Sequence, residues 1–171
     1  MLPGFLIASL LAAPPIPAAP APAPARYGFL AHLGVGGYSL SVSDASGAAS
    51  SRALLAGGGA VATRSLSPAF GLGALAELSD FLPDNSGSSA LLGFLIGPAA
   101  VFRTGGLALA GGAALSALSG GNGLGLGLLA AGDVVLAGPF SLHGQLTYRN
   151  AFPSGGRVSL LAGEVGLGLV Y

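Results

Sequence analysis

The stretch VSLLAGEVGLGLVY, residues 158–171, decides the fold class of this chain. Large apolar residues alternate with small or charged ones along it. The first set is Leu161, Val165, Leu167, Leu169 and Tyr171, and the second is Ala162, Glu164, Gly166, Gly168 and Val170. Side chains of a β-strand point alternately to its two faces. The stretch therefore predicts a strand with one apolar face and one face of small residues around a carboxylate.

The composition argues against an ordinary soluble domain. Charged residues make up 7% of the chain, against roughly 25% in typical globular proteins. Six Arg balance six Asp plus Glu, with no Lys, so the sequence carries no basic patch and predicts no nucleic-acid partner. The absence of Cys excludes disulfides and thiolate metal sites. We expect neither a metal nor a cofactor.

The first 25 residues are expected to be a cleaved signal peptide. Leu2–Ala13 is an apolar run of signal-peptide length, and Pro14–Ala25 consists almost entirely of Ala and Pro. The triplet Ala23-Pro24-Ala25 places the cut after Ala25, although no Lys or Arg precedes the apolar run. A Pro-rich linker is the alternative for this segment.

Residues 26–171 divide into eight apolar segments of ten to fourteen residues, and a tilted transmembrane strand needs about 9–11. The predicted strands are Tyr27–Leu40, Ala53–Arg64, Phe70–Ser79, Leu91–Arg103, Leu107–Leu118, Leu124–Leu136, Phe140–Arg149 and Val158–Tyr171. Loops rich in Ser, Gly, Asn and Asp are expected at Ser41–Arg52, Asp80–Ala90, Ser119–Gly123 and Asn150–Arg157, and short turns at Ser65–Ala69, Thr104–Gly106 and Ala137–Pro139.

The aromatic residues fall near the ends of these segments. One predicted girdle comprises Tyr27, Phe70, Phe102, Phe140 and Tyr171, and the opposite one comprises Tyr38, Phe81, Tyr148 and Phe152. Aromatic rings concentrate at the two membrane interfaces. Pro98 interrupts the fourth segment, so a bulge or a lost ladder bond is expected at Gly97–Pro98.

The eight segments and the aromatic ending resemble the small eight-stranded outer-membrane β-barrels of the OmpA/OmpX-like architecture. The resemblance implies an antiparallel up-and-down barrel over residues 26–171, located in the bacterial outer membrane. It also implies a monomer, with outer-membrane lipids and the barrel-assembly machinery as partners. Leu167, Leu169 and Tyr171 would form the C-terminal insertion signal. The sequence does not name an extracellular ligand.

Two other architectures fit the pattern less well. Membrane-spanning helices would place many Gly in helix interiors, at about 1 kcal/mol each relative to Ala, and the repeat has a period of two. A lipocalin-like soluble barrel would turn the Gly and Ala faces toward water with almost no charge to solvate them.

The strand faces opposite the apolar ones predict a charged lumen. Its expected members are His32, Arg64, Glu77, Arg103, Asp133, His143, Arg149 and Glu164. The placement of Arg64 depends on the phase of the second strand, which Gly57–Gly59 leaves ambiguous. In so narrow a barrel, charges need partners. We expect Glu164 to pair with His32 or Arg149, and favour Arg149 because its charge is permanent.

These features predict a plugged barrel with a structural or surface-interaction role, exerted through its loops, and not an enzyme. One alternative is a lipid A-modifying barrel enzyme. The lipid A deacylases carry a His-x-Ser pair, whereas this chain reads His143-Gly144-Gln145, with Ser141 as the nearest hydroxyl on that face. The other alternative is a small gated channel.

Overall fold

The computed structural model describes residues 26–82, 91–119, 123–152 and 156–171, so the expected signal peptide lies outside the described residues. Eight strands make up the fold. They are β1 Tyr27–Asp44, β2 Gly47–Ser65, β3 Phe70–Phe81, β4 Leu91–Thr104, β5 Leu107–Leu118, β6 Gly123–Ala137, β7 Phe140–Ala151 and β8 Gly156–Val170. Within the described ranges, no helix is long and apolar enough to cross a membrane.

Each strand pairs antiparallel with its sequence neighbours, and β8 pairs with β1 to close the barrel. Phe29 and Tyr171 exchange backbone hydrogen bonds at this seam, with N···O distances of 3.0 and 2.8 Å. The predicted eight-stranded antiparallel barrel is therefore confirmed. Its termini lie at the same end as the short connections between β2 and β3, β4 and β5, and β6 and β7.

The predicted loop at Ser41–Arg52 is wrong, because β1 and β2 continue as a paired hairpin as far as Asp44 and Gly47. Asp44 accepts hydrogen bonds from the backbone N–H (2.7 Å) and the hydroxyl of Ser46, which closes the turn. Residues 41–52 are exposed throughout, since this ribbon projects beyond the shorter strands. Its Ser and Ala residues hide the apolar alternation, yet backbone pairing needs no apolar face.

Two of the predicted short turns rely on glycine. Gly105 and Gly138 both have a φ of +55°, which L side chains rarely adopt. They form the turns between β4 and β5 and between β6 and β7, where short turns are predicted. The strand ends they join are thereby fixed at one end of the barrel.

The outer face of the barrel is apolar around its circumference. Large exposed side chains project from every strand, among them Leu33 and Val35 on β1, Leu54 on β2, Leu78 on β3, Ile96 on β4, Leu115 on β5, Leu126 and Leu128 on β6, Leu146 on β7, and Val165 and Leu167 on β8. At the end with the termini, the predicted girdle is exposed: Tyr27, Phe70, Phe102, Phe140 and Tyr171. The inner faces carry the small, polar and charged residues.

The second predicted girdle is wrong for two of its four members. Tyr38 and Phe81 point into the barrel, where their rings meet edge to face at a centroid distance of 5.0 Å. Phe81 is 1% exposed, so it closes the loop end of the lumen. Both residues do lie near a strand end, as predicted. Their position in the two-residue repeat, however, places their side chains on the inner face.

Pro98 interrupts one side of its strand. Its pairing with Ala74 of β3 is retained, whereas the pairing of β4 with β5 lapses between Ile96–Leu115 and Ala99–Gly112 and resumes in the same register. This agrees with the expected lost ladder bond, since Pro has no N–H to donate. A register shift at Val135/Ala137, opposite the start of β7, was not predicted.

Candidate functional site

Apolar side chains from β1 to β6 fill one part of the barrel interior. This cluster comprises Leu30, Val61, Leu75, Leu95, Ala99, Val101, Ala108, Ala110, Ala114 and Leu129. A second cluster, of Leu55, Phe81, Leu160 and Ala162, closes the loop end together with Tyr38 and Leu40. The ionisable groups occupy the remaining space, with His32 on β1, Glu77 on β3, Arg103 on β4, Asp133 on β6, His143 and Arg149 on β7, and Glu164 on β8.

Arg149 and Glu77 form the best-paired ion pair of the interior. The Nη2 of Arg149 lies 2.5 Å from Oε1 of Glu77 and donates also to the hydroxyl of Ser79 at 2.8 Å. Both charged side chains are almost fully buried. Gln145 donates to the other Glu77 oxygen at 2.7 Å, and the guanidinium carbon lies 5.3 Å from the centroid of the Phe81 ring. This geometry fixes both charges across the lumen.

Asp133 organises a second polar group nearer the termini. Its carboxylate accepts a hydrogen bond from Ser141 at 2.7 Å and lies 3.2 Å from Nδ1 of His143. The His143 ring stacks on the ring of His32, with centroids 3.9 Å apart and planes 5° from parallel. His32 and His143 come from β1 and β7, which both flank β8, so barrel closure brings them together.

Glu164 lies beside His32, with 3.8 Å between Oε1 and Nε2. Our preference for Arg149 as its partner is wrong, because Arg149 reaches across the lumen to Glu77. His32, the other predicted partner, is the base next to it. A Cβ on Gly34 or Gly57 would collide with the Glu164 carboxylate, so both glycines make room for this buried acid.

The two remaining predicted members, Arg103 and Arg64, lie on opposite faces. Arg103 points inward over Gly28, where its guanidinium occupies the space that a Cβ would take. Arg64 is exposed on the outer face, directly across from Tyr27, so its placement in the lumen is wrong. The phase of β2 is set by Leu55, Val61 and Thr63, which are all buried.

Gln145, Thr147 and Ser79 belong to the same interior network, although our set of charged site residues leaves them out. Each is buried, and each hydrogen bonds within the cluster around Glu77. The alternation along β7 places Gln145 and Thr147 on the inner face. Their neutral side chains give no further signal of a role in the network.

Among the described residues, side chains fill most of the barrel interior. A cavity at its centre, lined by His32, Glu77 and His143 among others, has a volume of about 10 Å³, enough for about one water molecule. Ser141 is fully buried and donates to Asp133, so it is not poised against a histidine base as nucleophilic catalysis requires. Among the described residues, no three His, Asp or Glu side chains are arranged to hold a metal ion.

The following three proteins are among the solved structures similar to this chain. Neisserial surface protein A (NspA) is 14% identical, with a TM-score of 0.52 over 84% of this chain and 96% of that chain. Ail, the attachment invasion locus protein of Yersinia pestis, is 12% identical, with a TM-score of 0.47 over 82% and 98%. OprG from Pseudomonas aeruginosa is 12% identical, with a TM-score of 0.47 over 86% and 97%.

No family model and no curated protein sequence matches the chain. The likeness to NspA at this level of identity concerns the fold. It agrees with the closed ring of eight antiparallel strands and with the apolar outer face. This chain therefore has the fold of the small eight-stranded outer-membrane β-barrels.

Proposed function

We propose that this protein is an integral barrel of the bacterial outer membrane with a plugged lumen. Its role is structural, or lies in surface contacts made by the loop end, and it neither conducts solutes nor catalyses a reaction. The observation that carries this proposal is the combination of an apolar outer belt with an interior filled by side chains. A soluble barrel would have the opposite arrangement.

The dimensions of the belt match a membrane. From Leu161 on β8 to Tyr171, the residue after its end, the extended chain runs ten residue steps, or roughly 33 Å at about 3.3 Å per residue. At a tilt near 40° this spans about 25 Å, the height of the apolar band in outer-membrane barrels. On the outer face, Arg64 and Arg157 lie near strand ends, and Arg52 lies in the β1–β2 ribbon that projects at the loop end.

The proposed partners follow from the same geometry. A closed barrel has no free strand edge, which favours a monomer surrounded by lipid. Leu167 and Tyr171 are exposed on the outer face of the closing strand, Leu169 lies on the same face, and together they would present the insertion signal to the barrel-assembly machinery.

Cell fractionation tests the proposed location. We expect the protein in the outer-membrane fraction with Arg26 as its first residue, since the signal peptide would be cut after Ala25. We also expect faster gel migration before boiling than after it, because a closed barrel resists unfolding by detergent. Recovery from the cytosol with Met1 still in place would contradict the location.

Single-channel recording in planar bilayers tests the plugged lumen. We expect no stable conductance steps, because the apolar cluster and the Arg149–Glu77 pair fill the cross-section. A variant that removes plug volume, Phe81→Ala, serves as a comparison, since Phe81 closes the loop end. Long-lived openings of the unmodified protein would favour the channel alternative.

A further inference from the structure

Four polar side chains form a cluster on the outer face at the loop end of β7 and β8. Tyr148 and Asn150 lie on β7, and Arg157 and Ser159 lie on β8; together we term them the rim cluster. The Asn150 carboxamide oxygen accepts from Nε of Arg157 at 3.2 Å and from Ser159 at 2.7 Å. Nη2 of Arg157 lies 3.5 Å from the Tyr148 hydroxyl. These contacts orient the guanidinium without neutralising it.

Arg157 forms no ion pair with any of the described residues. It is exposed, and Leu161, four residues along the same face of β8, belongs to the apolar belt at 54% exposure. Arg157 thus lies at the level where the apolar belt gives way to polar residues. In a membrane this is headgroup depth, where a cation attracts anionic lipid.

The outer face below the rim cluster is concave. A depression of about 530 Å³ lies over β6, β7 and β8, with Gly132, Gly144 and Gly163 at its base and Leu109, Leu146 and Val165 among its walls. A Cβ added to Gly144 would meet no atom within 4 Å, and one on Gly163 would come no closer than 3.5 Å to Leu146. Barrel packing therefore does not require these glycines, in contrast to Gly34 inside the lumen.

We propose that the rim cluster and this depression bind one phosphate-bearing lipid of the surrounding leaflet. The headgroup phosphate accepts hydrogen bonds from the free N–H groups of Arg157, and an acyl chain lies in the depression. Gly144 is four residues below Tyr148, roughly 13 Å along the strand, within reach of a chain that hangs from the rim. The proposal rests on the proposed function, because it needs the outer face to be in lipid.

The chain has no Trp, so Leu146→Trp introduces a single Trp at the wall of the depression, and its emission can be excited apart from that of the four Tyr. The reporter protein is refolded into vesicles, and its quenching by lipids with brominated acyl chains is compared for phosphatidic acid and phosphatidylcholine. We expect phosphatidic acid to associate about fivefold more strongly, the factor for one Arg at a membrane surface. Arg157→Gln should abolish this preference, whereas Arg64→Gln, at the other end, should retain it.

The outcomes separate this proposal from the proposed function. Equal quenching by both lipids, or equal loss of preference in the two Arg variants, overturns the rim site but leaves the barrel in the bilayer. Quenching by neither lipid overturns both. Inorganic phosphate that removes the preference, where chloride of equal ionic strength does not, assigns the site to free phosphate and overturns the lipid assignment. Gly144→Leu should weaken the preference, and an unchanged preference overturns the role of the depression.

Discussion

At the scale of single residues, each buried acid of the interior lies near a basic side chain, and only the Arg149–Glu77 pair joins a carboxylate to a permanently charged base. Glu77 meets Arg149, Asp133 meets His143, and Glu164 lies beside His32. An isolated buried charge is costly, and in a lumen this narrow water cannot solvate it. The Arg149–Glu77 pair therefore limits the cost of burying these two charges.

The Arg149–Glu77 pair is expected to dominate the electrostatic stability of the interior. Arg149→Gln and Glu77→Gln should each lower the free energy of unfolding by about 3–5 kcal/mol, because each leaves a buried charge without its partner. The double variant should lose clearly less than the sum of the two. Urea unfolding of the refolded barrel, followed by gel mobility, measures these values.

The matched control combines Arg149→Gln with Glu164→Gln. Arg149 does not contact Glu164 in the structure, so these two losses should be closer to additive. The account of the pairing would fail if the coupling were larger for Arg149 with Glu164 than for Arg149 with Glu77.

Alternation along each strand was enough to predict that Glu77, Arg149 and Glu164 face inward. It could not predict which inward side chains pair with each other, because contacts across the lumen depend on the tilt, stagger and curvature of the strands. β3 and β7 lie on opposite sides of the ring, so the Arg149–Glu77 contact crosses the lumen. Such a contact cannot be inferred from which strands are neighbours. Neighbouring strands alone suggested Glu164 as the partner of Arg149.

At the scale of strands, the two-residue repeat predicted all eight strands, with most ends placed within a few residues. The repeat failed where the residues on the two faces of a strand do not differ in size or polarity. The β1–β2 hairpin beyond residue 41 is rich in Ser and Ala. The glycines at Gly57–Gly59 do not indicate which residues of β2 face inward, and the placement of Arg64 in the lumen is wrong for this reason. In both places the backbone ladder, set by the neighbouring strand, decides the structure.

The closing strand offers a test at this scale. Tyr171 is 70% exposed at the end of β8, and its backbone is paired with Phe29 across the seam. Tyr171→Ser should lower the yield of heat-modifiable barrel, since it removes the aromatic ring from both the girdle and the insertion signal. Tyr171→Phe keeps the ring and should assemble normally. Equal yields from the two variants in quantitative gels would rule out a role for the ring.

At the scale of the whole molecule, the division of residues between the outer and inner faces of the barrel explains the composition of the sequence. The apolar belt faces outward, and small, polar and charged residues face inward, so a chain with 7% charged residues satisfies both environments. Many inward glycines keep the lumen free of clashes, while Leu, Val and Phe supply the belt. The central claim is that lipid surrounds the outer face and that no water-filled passage runs through the inner face.

Single cysteines on β7 test this claim directly, because the chain has none of its own. Leu142 and Leu146 are 53% and 61% exposed on the outer face, whereas Ser141 and Thr147 are buried inside. Leu142→Cys and Leu146→Cys, labelled with a fluorescent maleimide before refolding into vesicles, should be quenched by lipids with brominated acyl chains, since a thiol in hydrocarbon is not ionised and would not react there. The near-isosteric Ser141→Cys and Thr147→Cys should stay unmodified until the barrel is unfolded. Rapid modification of Ser141→Cys or Thr147→Cys by a water-soluble maleimide in the folded protein would contradict the account.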